Sequence, residues 1–153
     1  MARLRHRGVT HIDAPEAGNV APGARRHRSA RRIGLAIGAG RLAIGCAALA
    51  GPDLSIRLLG LDTATATRAA WLARMCAARD VALGAGTISS VASRRGQTSW
   101  LLAGALADAG DAAAFALAVR SGRLPRTRGY LAAATGVAGA VAGLGSAAGM
   151  LRR

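Results

Sequence analysis

The sequence predicts an all-α protein, a four-helix transmembrane bundle behind a disordered basic N-terminal tail. Three observations predict it. Arginine gathers at the chain ends and in short loops, leaving four apolar segments between. Trp71, Trp100 and Tyr130 each lie within a few residues of a segment's start, where an aromatic belt would sit. The last segment is rich in glycine, which destabilises a water-exposed helix by ~1 kcal/mol per residue relative to alanine but favours close packing in a membrane.

Charge placement carries more of this reading than hydropathy does. The chain of 153 residues has a formal net charge of +14, yet 52% of it is hydrophobic. Both can hold only if the charges are segregated. Every basic residue is Arg, and the mean hydropathy is only +0.28 because much of the apolar content is near-neutral Ala. A soluble Ala-rich helical bundle is therefore the architectural alternative.

Residues 1–32 hold eight Arg with Pro15, Pro22 and scattered Gly, and no apolar periodicity runs through them, so they read as a disordered cytoplasmic tail. His6, His11 and His27 are irregularly spaced and outline no metal site. The membrane domain, 33–153, contains spans at about 33–51, 69–93, 98–119 and 129–151. In the first, Ala48-Leu49-Ala50 resembles a signal-peptidase site, but Arg41 interrupts the apolar run and three more segments follow, which favours a span. A polar stretch, 53–68, leads to the second span, and Arg94-Arg95-Gly96-Gln97 makes a tight loop to the third. The fourth, 129–151, has no ionisable side chain except Tyr130 and is long enough to cross a core of ~30 Å. Cys46 and Cys76 lie in apolar segments without partner spacing, and are expected to be small buried hydrophobes.

Four spans put the tail, the 94–97 loop and the C-terminus on one side with 12 Arg, against 6 on the other. The positive-inside rule then predicts a multi-pass plasma-membrane protein with both termini cytoplasmic. The lipid bilayer is the expected partner, with anionic headgroups at the tail. Nucleic acid is not expected, because aromatic residues are 3% of the chain and none interleaves with the tail.

The candidate functional residues are charges placed where a bilayer tolerates them least. Arg41 falls near the middle of the first span, Arg79 and Asp80 near the middle of the second, and Asp108 and Asp111 one turn apart in the third. Each costs ~2.5–3.5 kcal/mol at a helix centre unless it finds a partner. Helical spacing aligns Gly34, Gly38, Arg41 and Gly45 on one face, and Leu101, Gly104, Asp108, Asp111 and Phe115 on another. Arg79 and Asp80 diverge by about 100° and can address different neighbours. With Arg74 included, the segments hold three charges of each sign, as a closed ion-pair network would. Gly139 and Gly143 are further packing glycines. The pattern contains no catalytic set, no cofactor motif and no metal-ligand spacing. The expected role is a structural charge network; the competing one is a small transporter or proton conductor using Asp108, Asp111 and Asp80.

The runs Arg41-Leu-Ala-Ile-Gly45, Arg74-Met-Cys-Ala-Ala-Arg79-Asp80-Val-Ala-Leu-Gly84 and Asp108-Ala-Gly-Asp111 together resemble a domain-of-unknown-function family of small four-span actinobacterial membrane proteins. The resemblance covers roughly residues 33–150 and departs from the family pattern at Ala77, where Gly is expected. It implies a multi-span membrane protein and supplies no activity.

Overall fold

The structure is a computed structural model and describes residues 22–151, among which there are five α-helices and no strand. The expectation of disorder over 1–21, the histidines His6 and His11, and the C-terminal Arg152-Arg153 lie outside the described residues.

Helix α1 spans Pro22–Ala50. It therefore begins inside the stretch expected to be tail. Two local preferences explain the early start: proline's fixed φ suits the first helical position, and Ala and Arg rank high in helix propensity. The helix stops at Ala50 because Pro52 pushes the preceding Gly51 out of the α region, to φ −133° and ψ 65°. Pro52 then opens a short helix, α2, Pro52–Leu58, in the segment expected to be merely polar.

Helix α3, Thr63–Ser93, starts six residues before the expected span. Its N-cap is Asp62, whose carboxylate accepts hydrogen bonds from the Thr65 backbone N–H at 3.0 Å and from the Thr65 hydroxyl at 2.7 Å. Those two bonds hold the Asp62 carboxyl below its ordinary range. The tight loop to α4 forms where expected: Arg94 closes α3 in the left-handed region at φ 58°, and Gly96 follows at φ 65°. Helix α4 spans Gln97–Arg120 and α5 spans Arg126–Leu151.

The two tight helix pairs are α1 with α3 and α4 with α5. Gly34 lies near Val91, Gly38 near Gly84 and Gly45 near Ala77, so α1 and α3 run antiparallel. Likewise Leu101 meets Gly143 and Ala112 meets Gly136. Helix α1 also packs on α5, through Ala30, Met150 and Ala147. Helices α3 and α4 touch far less than either tight pair, although they are neighbours in sequence.

The packing is small inside and large outside. The buried apolar set is mostly Ala, such as Ala66, Ala70, Ala73 and Ala77 along one stripe of α3, whereas Ile44, Leu106, Leu117, Leu131 and Val141 are each more than 60% exposed. Three helical stretches are long and apolar enough to cross a membrane: Arg28–Ala50, Gln97–Arg120 and Arg126–Leu151. Helix α3 does not reach that standard, because Arg68, Arg74, Arg79 and Asp80 interrupt it. Cys46 and Cys76 are exposed on the outer surface, which corrects the expectation that they are buried. Burial on these faces goes to alanine and glycine, the smallest residues, leaving cysteine outside.

Candidate functional site

Arg41, near the middle of the apolar Arg28–Ala50 stretch of α1, turns its guanidinium across the bundle. One amino group meets Asp80 Oδ1 at 3.1 Å; the other donates to the Gly104 carbonyl at 2.8 Å and pairs with Asp108. The side chain is only 11% exposed. The guanidinium lies over Gly104, where a Cβ would meet it at contact distance, 3.4 Å.

Arg79 takes the opposite direction from Asp80, onto α4. Its two amino groups grip Asp111 in a fork, Nη1 to Oδ1 at 3.0 Å and Nη2 to Oδ2 at 2.6 Å. The same Nη2 reaches back to Asp80 Oδ1 at 3.3 Å. The result is one continuous chain, Asp108–Arg41–Asp80–Arg79–Asp111, that ties α1, α3 and α4 together. The inner end is well covered, while Arg79 and Asp111 remain 36% and 35% exposed where α3 and α4 pack loosely.

All five charges singled out from the sequence thus meet. The shared face of Asp108 and Asp111 does not take them to one partner; each finds its own arginine. Arg74 is exposed and enters none of the ion pairs among the described residues. The charge chain therefore contains two guanidiniums and three carboxylates, not the equal count expected with Arg74.

Glycines set the distances that let these side chains meet. Between α1 and α3, a Cβ at Gly45 would lie 2.8 Å from the Ala77 carbonyl oxygen, and one at Gly38 would lie 3.1 Å from the Gly84 carbonyl oxygen. Gly45 thereby provides the close approach opposite Ala77. Gly34 is less crowded, with Met150, Val91 and Leu101 at ordinary contact distances. On α5, Gly139 faces the Asp108 carboxylate directly, and Gly143 rests on Ala105 and Leu101.

Two positions were missed by sequence spacing alone. A Cβ at Gly84 would come within 2.7 Å of both the Gly38 carbonyl oxygen and the Leu42 nitrogen, the tightest backbone approach between α1 and α3. Gly136 sits equally close to the Asp108 carbonyl oxygen. Gly84 could have been found from its helical register with Arg79-Asp80 and the stripe Ala66, Ala70, Ala73 and Ala77.

The aromatic residues divide. Trp71 and Tyr130 are more than half exposed, while the Trp100 ring packs over Gly86 of α3 and leaves no room for a Cβ there. Among the described residues, no group of His, Cys, Asp or Glu is arranged to hold a metal ion. No family model matches the chain, and neither a curated protein nor a solved structure matches it.

Proposed function

We propose that the chain is a four-span integral membrane protein of the plasma membrane, and that its Arg/Asp chain is a structural lock between three of the four spans. The observation that carries this reading is the inverted packing. Alanine and glycine fill the interior while Leu, Ile and Val face outwards along α1, α4 and α5. In water that surface would be a large aggregation liability. In lipid it is the expected arrangement, because helices there associate through small residues and backbone proximity.

Helix α3 is the fourth span on this reading. Hydropathy alone does not qualify it, but its two central charges are neutralised by neighbouring helices, Asp80 by Arg41 and Arg79 by Asp111. A helix of 31 residues measures about 46 Å, enough to cross with an extension at the end that carries Arg68. Arg74 then snorkels from that extension towards the headgroups. The short helix α2 presents Leu54 and Leu58 outwards beside Arg57, as a segment lying at the membrane surface would. The basic tail meets anionic headgroups, and both termini face the cytoplasm. Membership of the actinobacterial four-span family rests on the Arg41, Arg79-Asp80 and Asp108/Asp111 runs.

The test is alkaline carbonate extraction of membranes from cells expressing the tagged protein. The protein is expected in the pellet with resident multi-span proteins. Release to the supernatant would make the chain a peripheral or soluble bundle.

A further inference from the structure

Every charge in the mid-bundle chain has a partner, yet the charges do not balance. Arg41 and Arg79 supply two positive charges, and Asp80, Asp108 and Asp111 supply three negative ones. On the four-span reading, on which this inference rests, the surplus lies near the bilayer midplane, where an uncompensated charge is least tolerated.

The surplus can be assigned by asking which carboxylate receives the fewest guanidinium donors. Asp111 holds Arg79 through both oxygens. Asp80 receives donors from both arginines, at 3.1 Å and 3.3 Å. Asp108 has Arg41 alone, and Arg41 is divided between Asp108, Asp80 and the Gly104 carbonyl. The other side of Asp108 is Gly139 of α5, a helix with no ionisable side chain from Leu131 to Leu151. The charged groups facing Asp108 are thus Arg41 from α1, Asp80 from α3 and Asp111 on its own helix; α5 contributes none.

We propose that the bundle binds one proton at this site, held on Asp108, so that the charge chain is electrically neutral within the membrane. Two carboxylates that share one guanidinium favour a single retained proton over two full charges. The proton comes from water, and no redox partner or metal is required. A neutral Asp108 keeps one oxygen as an acceptor for Arg41 and gains an O–H donor. The assignment gives the network a titratable member, the feature a purely structural lock would lack.

Infrared difference spectroscopy on the full chain, in phosphatidylcholine/phosphatidylglycerol vesicles, reads this directly. At neutral pH the protein should show the carbonyl band of a protonated carboxyl, amounting to one group per chain and shifting on exchange into deuterated water. Asp108→Asn mimics the neutral acid, so it should remain folded and lack the band. Asp108→Glu should move the band instead of removing it, and keeps the test open if the Asn variant does not accumulate. Absence of the band in the wild type, or its persistence in membrane-embedded Asp108→Asn, overturns the proposal. So does a band that appears only when sodium is replaced by choline, which would make the bound ion a metal cation. Failure of the four-span reading looks different: carbonate then strips the protein from the same vesicles whatever the spectrum shows.

Discussion

Arg79 and Arg41 have unequal work although both stand deep inside their helices. Arg41 is shared and nearly enclosed, whereas Arg79 grips one carboxylate with both amino groups and stays a third exposed. Removing Arg79 leaves three carboxylates around one guanidinium. Arg79→Gln is therefore expected to destabilise the folded bundle in detergent by about 2–3 kcal/mol, less than the ~3–5 kcal/mol for breaking a fully buried pair, because the pair is only partly covered by protein. Asp111→Asn should cost less than Arg79→Gln, because Asp80 and Asp108 can still balance the two guanidiniums. The exchange Arg79→Asp with Asp111→Arg should recover part of the loss. Thermal unfolding of the three variants in one detergent checks the order; equal stability of all of them would remove the lock. These five charges were legible in the sequence because ionisable residues are rare inside apolar segments. The partner of each was not, since a shared helix face says which residues point one way and nothing about which helix stands opposite. The equal balance expected from Arg74 failed for the same reason. Its position on α3 turns it outwards, away from Asp80 and Asp108.

Among the helices, the pair α1 and α3 depends on backbone approach more than on side-chain burial. Gly38, Gly45 and Gly84 bring the two helices together where a Cβ would strike backbone atoms. Gly84→Ala would set a methyl group 2.7 Å from both the Gly38 carbonyl oxygen and the Leu42 nitrogen, and backbone cannot yield as a side-chain tip does. The variant is expected to lose about 1–3 kcal/mol by overpacking and to move Arg41 away from Asp80. A control at Gly40, where an added Cβ meets nothing within 4 Å, should be neutral or slightly stabilising. Equal abundance of the two variants in membranes would show that the close approach is not needed. The helix ends at Ala50, Ser93 and Arg120 were readable from Arg and Pro punctuation, and the loop at Arg94–Gly96 followed from its residues. The start of α1 and the helix α2 were not, because arginine-rich and mixed segments that lack an apolar stripe can still be helical when Pro and Ala favour the first turn.

At the scale of the whole molecule, the inverted packing separates a membrane bundle from a soluble one, and α3 decides whether there are four spans. Its hydropathy is lowered by the residues that the charge chain neutralises, so on the four-span reading proposed above length and composition alone undercount the spans. That coupling could not be read from one segment at a time. It also predicts that α3 is membrane-embedded only in the assembled bundle. Cys76 offers a native probe, because it lies on the outer surface of α3 one turn before Asp80. The most direct measurement is labelling of Cys76 with a membrane-impermeant maleimide in sealed vesicles of both orientations, in a Cys46→Ala background. Four spans predict no labelling from either side in intact membranes and full labelling after denaturation in SDS. Labelling of Cys76 from one side of intact vesicles would place α3 outside the bilayer and contradict both the fourth span and the intramembrane charge chain.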